Sequence, residues 1–97
     1  MISVPPLEIE VSSRFKGEAR SLSAAQLDQL EQALHALPEA WGQPHRHSSL
    51  GIRRLQQNHF ECRVGRDLRV VFVLKNNTAT LRMVGTHDAV RRFLRNL

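Results

Sequence analysis

Residues 7–11, LEIEV, alternate strictly, with Leu7, Ile9 and Val11 on one face and Glu8 and Glu10 on the other. A period of two predicts a half-buried strand, and Pro5 and Pro6 stop it from extending backwards. The spacing then turns helical. Ser12 and Ser13 can cap a helix beginning near Arg14, although Gly17 weakens it. Ser23-Ala24-Ala25-Gln26 has the form of a capping box. Behind it Leu27, Leu30, Leu34 and Leu37 recur at helical intervals, with Ala33 beside them. Two helices are predicted, 13–21 and 24–37, the second ended by Pro38. Residues 38–49 read as a loop with Trp41 as a packed anchor, and residues 50–57 as a strand.

From His59 to His87 the period of two returns. Phe60, Cys62 and Val64 should face the helices, and Glu61 and Arg63 the open side of the sheet. Cys62 on that apolar face reads as a small core residue. Gly65-Arg66-Asp67 makes a turn, and the apolar run from Val70 to Leu74 suits a central strand. Lys75-Asn76-Asn77 makes the next hairpin. Ala79, Leu81 and Met83 alternate with Thr80, Arg82 and Val84, and the strand closes at His87. A short final helix, capped by Thr86 or Asp88, should bury Val90, Phe93 and Leu94 and expose Arg91, Arg92 and Arg95. Tight turns force antiparallel pairing. The expected fold class is α+β: an N-terminal strand, a helical hairpin packed on a four-stranded, mostly antiparallel sheet, and a short C-terminal helix.

Composition narrows the class. The 97 residues suit one domain, 1–97, with a small core. No apolar run spans a bilayer, the N-terminus lacks a secretory pattern, and a single cysteine forms no internal disulfide. A reducing cytoplasm is the expected compartment. The net charge of +5 is uneven, residues 1–40 carrying −3 and residues 41–97 carrying +8. All but one of the basic residues in the second part are arginine, whose planar donor fork suits phosphate. Nucleic acid is the first polyanion partner to consider.

Glu61, Arg63, Arg69 and His87 come from adjacent elements and can converge at one end of the sheet, with His45 or His47 approaching from the loop. His45-Arg46-His47 lacks the further ligands of a metal site. There is no G-x-S-x-G elbow and no P-loop. The set suits RNA cleavage without a metal or cofactor. That reaction needs a base for the 2′-OH, cations for the phosphorane and an acid for the leaving 5′ oxygen. A solvated, charged sheet face is the plainer alternative.

The segment GRDLRVVFVLKNNTATLRMVGTHDAVRRFL resembles the signature half of the RelE/ParE toxin superfamily, and Glu61-Cys62-Arg63-Val64 with Gly85-Thr86-His87 resembles its RelE/YafQ-like mRNA interferase branch. The resemblance covers residues 60–94, while residues 7–37 fit the fold without a specific motif. It implies a toxin of a type II toxin–antitoxin module, a ribosome-dependent endoribonuclease that cuts mRNA and inhibits translation. The implied partners are the ribosome, mRNA and a cognate antitoxin in a hetero-oligomer, with no membrane. By the same resemblance His87 takes the position of the acid or phosphate ligand, and Arg69 that of the arginine holding the scissile phosphate. Arg63, Glu61 and Asp67 fall on site positions, and His47 falls loosely on that of a general base. His45, His47 and Glu61 all remain candidates for the base. Arg53, Arg54, Arg66, Arg82 and Arg91 are candidate RNA contacts. Phe93 stands where some members carry a tyrosine, and with no tyrosine in the chain it is left to stack on a base. The alternatives are a ParE-like gyrase inhibitor and a non-catalytic relative that only binds antitoxin or nucleic acid.

Overall fold

The structure, a computed structural model, describes residues 7–42 and 50–97. His45 and His47 therefore lie outside the described residues. The elements are β1 (Glu8–Val11), α1 (Ser13–Ala19), α2 (Ala24–Gly42), β2 (Arg53–Arg54), β3 (His59–Val64), β4 (Leu68–Lys75), β5 (Thr78–Gly85) and α3 (His87–Arg95). The sheet has five strands in the order β1-β5-β4-β3-β2. Antiparallel hairpins join β3 to β4 and β4 to β5, while β1 lies parallel to β5 at one edge. The expected α+β class and element order hold, with one strand more than the four anticipated. The strand expected over 50–57 shrinks to Arg53–Arg54, which pair with Glu61 and Phe60.

Both predicted caps form at the helical hairpin. Ser12 Oγ accepts from the Phe15 amide at 3.2 Å. The Gln26 amide donates to Ser23 Oγ at 3.1 Å, and the Ser23 amide donates to Gln26 Oε1 at 3.0 Å. Pro38 does not end α2, which runs on to Gly42. Proline removes one hydrogen bond from a helix interior. Beyond it, however, Ala40 is fully buried and Trp41 packs edge-on against Phe60 and Phe72, at 5.0 and 5.9 Å between ring centroids. Tertiary burial outweighs the local penalty. The buried stripe is Leu30, Ala33, Leu37 and Ala40, and Leu27, expected inside, is exposed.

The hairpin covers one face of the sheet, where Cys62, Val64, Val70, Phe72, Ala79, Leu81 and Val84 join it in the main core. The opposite face is not left to arginines and histidines alone. Val71 and Met83 form a second, smaller core there with Val90 and Phe93 of α3. A register shift at Val71/Phe72, opposite Leu81 and Met83, sends Met83 toward α3 and returns Val84 to the hairpin side. Such a bulge adds a residue and re-aims the side chains after it. It breaks the simple alternation of Leu81 and Met83 and leaves Arg82 exposed.

Cys62 is fully buried, and burial, with the Glu61 charge beside it, pushes its thiol up to about 12. The folded state holds the proton that the unfolded chain loses near pH 9, so this residue's contribution falls as pH rises from about 9 toward 12. At pH 8 a maleimide should label native protein negligibly and urea-unfolded protein fully. Rapid native labelling would contradict the buried placement. Among the described residues no helix is long and apolar enough to cross a membrane.

Candidate active site

Arg63 of β3 stands opposite Arg69 of β4, which stands opposite Gly85 of β5. This row crosses the sheet at one end. Immediately beyond it Thr86 caps α3, its hydroxyl accepting from the Ala89 amide at 3.2 Å. His87, expected to close the strand, is instead the first residue of α3, exposed to solvent. The break falls at Thr86 because its side chain takes up an amide of the first helical turn that has no partner within the helix. His87 thus stands at the positive end of a helix that begins beside Arg69's row.

Glu61 departs most from expectation. It lies on the strand face opposite the hairpin, but only 2% of it is exposed, so it is not presented to the open side. One oxygen, Oε1, accepts from Arg53 Nη2 at 2.7 Å and from Arg69 Nη1 at 3.0 Å. The other, Oε2, is buried without a partner among the described residues. The cause is register: Arg53 is the direct cross-strand neighbour of Glu61, and Arg69 lies two residues along β4 from its other neighbour, Val71. The two guanidiniums extend outward, with 63% and 28% of their side chains exposed.

Arg63 is exposed, and its side chain runs along Gly51, whose φ of +55° suits glycine. It lines a surface hollow with Gln29, Gln32, Leu50 and Gly65. Asp67 and Arg66 are exposed in the β3–β4 turn. Arg53, Arg54, Arg82 and Arg91 are exposed as well, the last on the outer face of α3. Phe93 is not available to stack on a base. It is 7% exposed, the Arg14 guanidinium lies 5.0 Å from its ring centroid, and the His59 ring meets it at 5.9 Å. It belongs to the core beneath α3 because α3 needs an apolar face to dock.

His59 was not anticipated as a buried group. Its Nδ1 lies 3.1 and 2.9 Å from the carbonyl oxygens of Gln56 and Gln57. Carbonyls only accept, so Nδ1 carries a proton, while Nε2 is buried without a hydrogen-bond partner among the described residues. These bonds brace the β2–β3 turn, where Gln57 and Asn58 hold φ of 50° and 63°. The Gln-Gln-Asn run before His59 was the available signal, but glutamine rarely marks a left-handed turn. No group of three or more His, Cys, Asp or Glu side chains among the described residues is arranged to hold a metal ion.

No family model matches this sequence, and no curated protein matches it. Solved structures do. A chain of the E. coli DinJ–YafQ toxin–antitoxin complex superposes with a TM-score of 0.71 at 16% identity, over 89% of this chain and 98% of that one. YafQ from E. coli strain BL21(DE3) gives 0.69 at 16% identity, over 86% and 96%. A chain of the RelB–RelE antitoxin–toxin complex from Methanococcus jannaschii gives 0.65 at 13% identity, over 87% and 96%. The agreement extends over nearly the whole of each of those chains, and the protein described here has the fold of the YafQ and RelE toxins.

Proposed function

We propose that this protein is the toxin of a type II toxin–antitoxin module and acts as a ribosome-dependent, metal-independent endoribonuclease on mRNA, held inactive by a cognate antitoxin. The observation that carries this reading is the row Arg63, Arg69, Gly85, which ends beside His87 at the start of α3. It sets the backbones of two arginines and a histidine at one end of the sheet. In the proposed reaction the 2′-oxygen attacks the adjacent phosphorus and the bond to the 5′ oxygen breaks, leaving a 2′,3′-cyclic phosphate and a 5′-hydroxyl. Arg69 and Arg63 neutralise the phosphorane, where added charge on the equatorial oxygens makes fixed cations most effective. His87 delivers the proton to the departing 5′ oxygen. Asp67, exposed in the turn next to Arg63's strand, contacts the substrate from that side. The base that takes the 2′-OH proton is His45 or His47. Glu61 is poorly suited to that task, since it is buried beneath the two guanidiniums that its Oε1 serves.

The solved relatives in complex with DinJ and RelB support an antitoxin as partner for this chain. The exposed Arg53, Arg54, Arg91, Arg92 and Arg95 suit an acidic antitoxin segment.

Primer extension on an mRNA under translation, with and without purified protein, tests the proposal. Discrete cuts that appear only when ribosomes translate the message are expected. An uncut message together with blocked gyrase supercoiling would replace this reading by the ParE-like one. An uncut message with unaffected gyrase would leave a binding protein without catalysis.

A further inference from the structure

A buried carboxylate is a poor way to stabilise a sheet. Replacing a buried ion pair by apolar side chains is often neutral or favourable, because desolvating the charges costs as much as their attraction returns. Glu61 is 2% exposed, and its Oε2 has no partner among the described residues. What the carboxylate does achieve is geometric. A single oxygen ties Arg53 at 2.7 Å and Arg69 at 3.0 Å, drawing two like charges from β2 and β4 to one point. Their donor nitrogens are thereby within about 6 Å of each other, a span that two N–H···O bonds to one phosphate group cover. Each guanidinium has further donors beyond the one given to Glu61, and the cluster keeps a net positive charge. Arg54, next in sequence and also exposed, makes no such bond to Glu61.

We propose that Glu61 is a positioning residue that sets Arg53 and Arg69 as a two-guanidinium clamp for one phosphodiester of single-stranded RNA. Arg53 thus joins Arg69 in the substrate-binding machinery, on the sheet face that α3 only partly covers. The inference rests on the nuclease reading for the identity of the ligand.

The sign of one effect tests it. Glu61→Gln raises the net charge by one, which by itself tightens binding to any polyanion. Positioning predicts the reverse. The affinity for a 2′-O-methyl RNA oligonucleotide, which cannot be cleaved, should fall about tenfold. The slope of log affinity against log salt should shrink by about 0.7, one phosphate contact on a single strand. Unchanged or tighter binding overturns the clamp. Should Glu61→Gln fail to fold, Arg53→Gln and Arg54→Gln decide the matter, since both side chains are exposed and lose the same charge. Arg53→Gln should weaken binding about tenfold and Arg54→Gln about threefold or less. Equal losses, or no binding by the wild-type protein, overturn the clamp. A wild-type protein that cuts translated mRNA while failing these comparisons loses the clamp alone. One that passes them without cutting keeps the clamp and loses the nuclease reading.

Discussion

His87→Ala is expected to lower cleavage of translated mRNA by about 10²- to 10⁴-fold, the usual contribution of a positioned proton donor. The same change should leave the fold almost untouched. His87 is exposed, it makes no hydrogen bond or ion pair among the described residues, and alanine is the best helix former at the first position of α3. The stability change should stay within about 0.5 kcal/mol, as for most surface substitutions. Primer extension for the cut and urea denaturation for stability, run on the same preparation, separate chemistry from folding. Full cleavage by the folded variant would sink the role given to His87. Arg82→Ala is a useful companion, since Arg82 is exposed at the bulge and stands outside the Arg63–Arg69–Gly85 row. It should cost far less activity than His87→Ala.

Phe72→Ala should be the most destabilising single substitution in the sheet. Phe72 is fully buried on the central strand and is the largest fully buried side chain among the described residues. Its ring stacks on Phe60 at 5.7 Å and meets Trp41 at 5.9 Å. Truncation removes the apolar burial and leaves a cavity between α2 and β4, at a cost of about 3–5 kcal/mol. A domain of this size holds about 5–15 kcal/mol in total, so the variant should be largely unfolded at 37 °C or melt far below the wild type. The urea midpoint should fall without a change in slope. A loss below about 1 kcal/mol would mean that the aromatic cluster is not the centre of the core. Phe72→Leu, which keeps most of the volume, should cost less than about 1.5 kcal/mol.

The two substitutions mark what the sequence shows and what it hides. The alternation of Leu7 and Ile9 with Glu8 and Glu10, the alternation in 60–64 and the Asn76-Asn77 turn were legible, because each depends on residues near one another in the chain. So was the capping box at Ser23, for the same reason. Val11, expected on the inner face, is exposed at the end of β1. Phe72's place in the core followed from an apolar run that only a central strand accommodates. The candidate site was legible in composition but only partly in arrangement. Arg63 and Arg69 were expected on neighbouring strands, and the register makes them direct partners. That Glu61 sits beneath Arg53 and Arg69 as a buried acceptor was not visible, because nothing local distinguishes a solvated glutamate from a paired one.

The sequence by itself determined the element order, the hairpins and the supply of arginine and histidine near one end of the sheet, since periodicity, turn chemistry and caps act over a few residues. Only the tertiary structure decided the continuation of α2 through Pro38, the bulge that divides Leu81 from Met83 and the fate of Glu61. Each of these depends on surfaces brought together from distant parts of the chain. There the free energy of burial and of pairing a charge outweighs the local preferences that the sequence displays.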